Sequence, residues 1–274
     1  AQLASVIASR PVDEKNLVSI VDSDVDLSQF DFNVLGDLLE AHPEIGAVWA
    51  PPIDDGEVVS FGDRASHATL NGSFHAFPLL AGISPESLVG KTFALRRETL
   101  DEVGGFASLI DFLGEDMELA NRLRSKGFEV RPAPIPTRST CSERSFSSVV
   151  SRIARWMTVI RAQRPLLMVT YPVFFFGASL IVPAGTLLGT FAHGAIAALG
   201  SSLALSAMLT RVGLVIVARG RAGQRTSILS AVIDAILGDL VVIAGFLRAS
   251  KSRKFLWRGV PLAIDRSGRL VATK

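Results

Sequence analysis

The residues best placed to do chemistry are Asp22 and Asp24, which close the apolar run of LVSIVDSDVDL (17–27). Two carboxylates one residue apart can turn toward the same divalent cation if the backbone bends between them. All-oxygen ligation of this kind suits Mg²⁺ or Mn²⁺ carrying phosphate. The competing explanation is an acidic turn or a helix cap, since Ser, Asp and Asn favour such positions for local reasons. A second acidic pair, Glu115-Asp116, opens the stretch EDMELANRLRSKG, whose end is marked by Gly127. Acids in a first helical turn are favoured by the helix dipole, so that pair has a purely structural explanation of its own.

Elements of definite type must hold these groups. The five apolar residues from Leu17 read as a strand buried on both faces, the central strand of a parallel sheet, with Asp22 and Asp24 at its carboxyl end. Ligands of open α/β sheets bind at such strand ends. Helical spacing covers 30–41 and stops at His42-Pro43; a short strand follows at 45–50. Phe93 to Arg97 reads as a strand, Arg97 to Val103 as a short helix, Gly104-Gly105-Phe106 as a turn, and 115–126 as a helix. A helix tail over 1–10, ended by Pro11, precedes the first strand, and no βα unit precedes that strand. The sequence is therefore expected to begin inside an α/β domain.

Two tempting motifs fail on chemistry. Gly90-Lys91-Thr92 lacks the earlier glycine of a phosphate-binding loop, because Pro85 stands at that position and no long apolar strand leads in. His67 and His75 fall on nearly one face of a helix expected over 65–77, but no Cys or carboxylate stands at ligand spacing beside them. They are expected at the surface or facing an acceptor.

Charge divides the chain. Residues 1–150 hold 12 basic and 23 acidic residues, whereas 151–274 hold 16 basic and only 3 acidic. Leu166 to Ala218 carries one charge, Arg211, and is long enough for two membrane spans at ~20 residues each. Ile228 to Leu247 is apolar but contains Asp234 and Asp239. With the first half in the cytoplasm, spans at 166–190 and 195–218 leave Arg219, Arg221 and Arg225 inside, as the positive-inside rule prefers. A third span would carry Arg248, Lys251, Arg253 and Lys254 outside against that rule. The third segment is therefore expected to be re-entrant, bent near Gly238 and Asp239, or to lie at the interface; the alternative is that it spans and breaks the rule. The organisation expected is an α/β domain at 1–164, membrane helices at 165–250 and a basic cytoplasmic tail at 251–274. A single cysteine, Cys141, excludes an intrachain disulfide and fits a reducing compartment.

Four pieces in order, VDSDVDL (21–27), VGKTFALRRETLDEVGGF (89–106), LGEDMELANRLRSKGFEV (113–130) and SRIARW (151–156), resemble family-2-like glycosyltransferases of the GT-A fold. The resemblance is strongest to the ceramide glucosyltransferase family and its hopanoid-associated bacterial relatives, families 2 and 21. It implies a GT-A nucleotide-diphospho-sugar transferase domain lacking its first βα units, followed by an α-helical membrane region. It further implies a multi-pass protein of a bacterial inner membrane, with its catalytic side cytoplasmic, that moves glucose or N-acetylglucosamine from a UDP-sugar to a ceramide- or hopanoid-type lipid hydroxyl with inversion.

By the same resemblance Asp22 and Asp24 hold Mg²⁺ or Mn²⁺ on the diphosphate and Asp116 is the base on the acceptor hydroxyl. Arg152, Arg155, Trp156 and Glu115 bind acceptor or diphosphate. Arginines offer forked hydrogen bonds and the indole a flat apolar face. Arg152, Arg155 and Trp156 could instead be interfacial anchors before a span. The family's earlier nucleotide-binding Asp and its amino-terminal membrane helix have no counterpart before Leu17. The partners implied are a UDP-sugar, a lipid acceptor and the membrane, with no nucleic acid. A polysaccharide synthase shares the fold, though it usually carries Gln-x-x-Arg-Trp where this chain has Arg152 first, and a non-catalytic membrane scaffold is the reading from outside enzymology.

Overall fold

The computed structural model describes residues 16–83, 88–257, 260–265 and 267–272. The helix tail expected over 1–10 and Pro85 lie outside the described residues. The chain divides into two compact units, one made of Ala1–Ile53, Phe77–Thr140 and Arg253–Lys274, the other of Asp54–Ala76 and Cys141–Ser252.

The first unit is α/β. Its main sheet joins β1 (Leu17–Val21), β3 (Ile45–Trp49), β5 (Thr92–Arg96) and β6 (Glu129–Pro132) in the order β1-β5-β3-β6. Strand β3 runs parallel to β6 and antiparallel to β5, which in turn is antiparallel to β1. The expectation that β1 is a central parallel strand is thus corrected: among the described residues it is an edge strand with one antiparallel neighbour. An apolar run reports burial, and burial does not encode strand direction. The central strand is β3, all five residues of which are buried.

Alternation along β5 shows how the sheet builds two cores. Phe93 and Leu95 face the side packed by Leu119 and Leu123 of α5 (Glu115–Ser125). Ala94 faces the side packed by Leu35 and Leu39 of α1 (Asn33–Ala41). Gly127 follows α5 with φ +90°, the left-handed stop that a glycine adopts at little cost. A smaller sheet, β2-β7-β4, is formed by β2 (Val25–Asp26), β7 (Thr137–Ser139) and β4 (Pro52–Asp54). Helices α3 (Ala76–Ile83) and α4 (Arg97–Glu102) complete the middle of the chain.

The segment expected as a basic tail forms a third sheet, in which β9 (Val260–Ile264) lies between β8 (Lys254–Trp257) and β10 (Leu270–Ala272). It is held to the rest of its unit by backbone bonds from Leu270 N–H to the Asp111 carbonyl, 2.7 Å, and from Leu113 N–H to the Gly268 carbonyl, 3.4 Å.

The second unit is helical. Helix α2 (Phe61–Leu70) starts in a capping box, with the Ser60 hydroxyl accepting from Asp63 N–H and the Asp63 carboxylate accepting from Ser60 N–H. His67, expected at the surface or facing an acceptor, is buried on α2 at 6% exposure, and burial lowers its pKa and favours the neutral ring. The helix expected over 65–77 is interrupted by a 3₁₀ turn at Asn71–Ser73. Helix α6 (Phe146–Gln163) carries the SRIARW stretch.

Four apolar helices follow: α7 (Leu167–Phe174), α8 (Gly177–Phe191), α9 (Gly194–Arg221) and α10 (Ile228–Lys251). Helices α9 and α10 are long and apolar enough to cross a membrane, and α7 with α8 would make a third candidate bent by 49°. The re-entrant bend expected near Gly238 is absent: α10 is one continuous helix, because Asp234 and Asp239 meet arginines there and neither has to escape to water. Asp234 pairs with Arg64 and Arg219 at 2.7 and 2.6 Å, and Asp239 accepts from Arg211 Nε at 2.9 Å.

Candidate active site

The polar centre of the first unit grows from the pairing of β1 with β5. Their register sets Val21 opposite Thr92, so the residue after β1 lies beside the residue before β5. Asp22 N–H donates to the Lys91 carbonyl at 2.9 Å, and the Lys91 ammonium reaches both carboxylates of the DSD triplet. It stands 3.4 Å from Asp22 Oδ2 and donates to Asp24 Oδ1. The other oxygen of Asp24 accepts from the Ser139 hydroxyl at 2.9 Å. The backbone of 22–24 turns as cation sharing requires, and both carboxylates converge on one positive charge.

Lys91 is flanked by Gly90, and that neighbour connects the triplet with the second acidic pair. Gly90 N–H donates to Asp116 Oδ2 at 2.9 Å, while Asp116 Oδ1 accepts from Met117 N–H at 2.7 Å. A glycine makes the first of these contacts without crowding the carboxylate. A Cβ on residue 90 would lie 3.0 Å from Asp116 Oδ2 and 3.1 Å from Asp116 Cβ.

The electrostatics follow from this crowding. Burial is the main cause that raises the Asp22 pKa, and Lys91 opposes it without cancelling it. Burial also acts against charge on Asp24, but the bonds from Lys91 and Ser139 outweigh it and hold that carboxyl below the usual range. Burial raises the pKa of Asp116 despite its two backbone donors. Glu115 is pushed up to about 7, first by burial and then by the negative charge of Asp116. Solvent still reaches Glu115.

Among the described residues no group of three or more His, Cys, Asp and Glu side chains is arranged for a metal. Asp22 and Asp24 converge on the Lys91 ammonium, which stands in for a metal ion. Mg²⁺ is commonly held by one or two carboxylates with substrate phosphates and water supplying the rest. The donor set therefore fits a hard divalent ion bound together with a diphosphate.

Arg152, Arg155 and Trp156 belong to the second unit, on α6. The Arg152 guanidinium stacks over the Trp156 ring, 5.5 Å from its centroid, donates to the Ser66 hydroxyl and lies 3.8 Å from Asp54 Oδ2. Asp54 is fully buried and also accepts from Arg144 at 3.2 Å. Burial lowers the Arg155 pKa, and Trp156 is 39% exposed. Thus Asp22, Asp24, Glu115 and Asp116 share one unit, and the RIARW residues share one helix of the other.

Sequence reasoning missed Lys91 as a site residue. Its signal was present in the rejected Gly-Lys-Thr, but its role depends on the β1–β5 register. Asp54 was missed as well, because the arginines that pair with it, Arg144 and Arg152, lie 90 or more positions away.

A family model described as Glycosyl transferase family 21 matches residues 2–270. Ceramide glucosyltransferase 3 of Caenorhabditis elegans is 27% identical over 113 residues, which are 40% of this chain and 25% of that protein. Ceramide glucosyltransferase 1 of the same organism is 27% identical over 117 residues, 43% of this chain and 23% of its own length. The match spans about a quarter of the length of these curated relatives.

Proposed function

The chain belongs to glycosyl transferase family 21, and from that premise we propose that it moves a sugar, glucose or N-acetylglucosamine, from a UDP-sugar to a lipid hydroxyl of ceramide or hopanoid type, with inversion. The first unit is read as a GT-A-type domain, and the protein as multi-pass in the membrane with that domain on the cytoplasmic side. The observation that carries the reading is the convergence of Asp22 and Asp24 on one cation, tied through Gly90 and Lys91 to the Glu115-Asp116 pair.

As the glycosidic bond to the diphosphate breaks, negative charge grows on the leaving oxygens. Fixed positive groups aimed at that charge lower the barrier without reorganising. Asp22 and Asp24 would hold Mg²⁺ or Mn²⁺, which supplies Lewis acidity and a template for the diphosphate. Lys91 offers a second positive charge at the same place. On the acceptor side Asp116 takes the proton of the attacking hydroxyl, and burial, which raises its pKa, makes it a stronger base than an exposed carboxylate. Arg152 and Arg155 donate to phosphate or acceptor oxygens, and Trp156 presents its exposed face to the sugar or lipid head.

A second assignment of the base is favoured by one observation. Both Asp116 oxygens already accept backbone N–H groups, whereas Glu115 is open to solvent with a pKa of about 7. In that version Asp116 orients and Glu115 receives the proton. The overall reading is tested by transfer of labelled sugar to lipid in detergent: Asp24→Asn should abolish it and weaken nucleotide binding while the melting temperature holds. Turnover at the wild-type rate in chelator would remove the metal from the account.

A further inference from the structure

Connectivity restricts how often this chain can cross a bilayer. The segments Phe77–Thr140 and Arg253–Lys274 belong to the same compact unit, joined by the Asp111–Leu270 and Leu113–Gly268 backbone bonds. Both therefore lie on one side of any membrane, and the intervening helices must cross it an even number of times. Three candidates exist, α7 with α8, α9, and α10. At least one of them does not cross.

Helix α10 is the one whose two ends are held by the same polar layer. At its amino-terminal approach, Asn71 donates to Gln224 Oε1 at 3.0 Å, and Gln224 reaches the Asp54 carbonyl at 3.4 Å. At its carboxyl end, Arg248 donates to the Ser151 hydroxyl at 2.9 Å and Arg161 donates to the Ala249 carbonyl at 2.7 Å. Between them α2 and α6 cover one face. Arg64 pairs with Asp234 at 2.7 Å. Gly238 comes so close to α2 that a Cβ there would stand 2.9 Å from the Ala68 carbonyl oxygen. If α10 crossed, its ends would sit at opposite aqueous surfaces across ~30 Å of hydrocarbon. The charged residues of α2 and α6, Asp63 and Arg152 among them, would then be carried to mid-bilayer depth, which is costly.

The opposite face of α10 is apolar and uncovered. Leu229, Ile233, Ile236, Leu240 and Leu247 are 46–70% exposed and recur at intervals of 4, 3, 4 and 7, one stripe of a helix. Basic residues stand at both ends of that stripe, Arg221 and Arg225 before it and Arg248 and Lys251 after it. An apolar stripe bounded by cations complements an anionic lipid surface from above rather than a bilayer interior from within.

The base of the α8–α9 hairpin rests on this helix. Asp239 accepts from Arg211 of α9 at 2.9 Å and from the Ser179 hydroxyl of α8 at 2.7 Å. From there the charge-free stretch 194–210 extends ~26 Å at 1.5 Å per residue, close to the hydrocarbon thickness.

We propose that α10 is an interfacial helix that lies along the surface of an anionic bilayer on its Leu229–Leu247 stripe, and that only the α8–α9 hairpin enters the membrane. This goes beyond the glycosyl-transfer reading, and its test needs no activity. In sealed vesicles of known orientation, native Cys141, bonded directly to Thr140 at the end of a first-unit segment, marks the side of the first unit; it is exposed and free. In a Cys141→Ser background, Arg225→Cys and Lys251→Cys are each treated with a membrane-impermeant maleimide. Both should be labelled from the Cys141 side; labelling from opposite sides would overturn the proposal. Nitroxides placed singly at Leu229, Ile236 and Leu247 in phosphatidylglycerol vesicles give an independent readout. Equal, shallow depths are expected, and a depth that passes through a maximum at Ile236 would mark a crossing helix and refute it.

Discussion

Gly90→Ala probes the contact that positions Asp116. The added methyl would sit 3.0, 3.1 and 3.3 Å from Asp116 Oδ2, Cβ and Cγ, where ordinary contacts begin near 3.4 Å. Asp116 cannot simply swing away, since its other oxygen is held at 2.7 Å by Met117 N–H in the first turn of α5. The carboxylate must retreat by about 0.4 Å, and the 2.9 Å bond from Gly90 N–H stretches with it. Overpacking of this size costs about 1–3 kcal/mol. A misplacement of ~1 Å at a reacting group costs about 10²-fold in rate, so ~0.4 Å is worth about tenfold. Turnover at saturating donor should therefore fall about tenfold, with donor affinity nearly unchanged and melting lowered by a few degrees. Wild-type turnover in a protein that has lost the expected stability would show that the Gly90–Asp116 contact shapes the fold and not the chemistry.

Two further outcomes concern charge. Asp63 accepts from Ser60 N–H, Glu143 N–H and Arg144 N–H at 2.9–3.0 Å; burial opposes its charge, yet these donors bring its pKa down to about 2. Its stabilisation is complete above pH 3.8 and is lost as pH falls toward 2, so Asp63→Asn should lower stability by about 1–3 kcal/mol at pH 7 and flatten the acid limb of the melting curve; an unchanged acid limb would count against it. Glu115 has the opposite sign. With a folded pKa of about 7 against an ordinary 4.5, it binds its proton more tightly when folded, so stability of the unliganded protein should decline as pH rises between those values. Glu115→Gln should remove that slope, and a slope that survives in the variant would place its origin elsewhere.

Local features of the fold were legible and distant ones were not. Helix α5 could be read from Glu115-Asp116 at one end and Gly127 at the other, because capping acts within a turn. The short strand at 45–50 and the apolar face of α1 could be read from local sequence alone. The β1 run gave burial without direction, so its antiparallel pairing with β5 was not available, and with it went the role of Lys91. The 54–87 stretch resisted reading for a related reason: Ser60 and Asp63 form a local cap, but Asp63 and Asp54 are completed by Arg144, some 80 to 90 positions later. Asp234 and Asp239 could be recognised as acids that need partners inside an apolar segment. Which arginines answer them, Arg64, Arg211 and Arg219, is decided only once α2, α9 and α10 pack.

The central claim, that the carboxylates of this site perform a transfer and do not merely start a helix, is tested most directly by comparing Asp116→Asn with Glu115→Gln in one lipid glycosylation assay. A general base contributes typically 10²- to 10⁴-fold to rate and little to donor binding. Asparagine preserves size, and loss of the charge at the helix start costs only about 0.3–1 kcal/mol. The account predicts that one of the two variants loses at least about a hundredfold in turnover with donor affinity nearly unchanged, Asp116→Asn in the first assignment and Glu115→Gln in the second. Equal, small losses in both would contradict it and leave the acidic pair as a helix start with no part in catalysis.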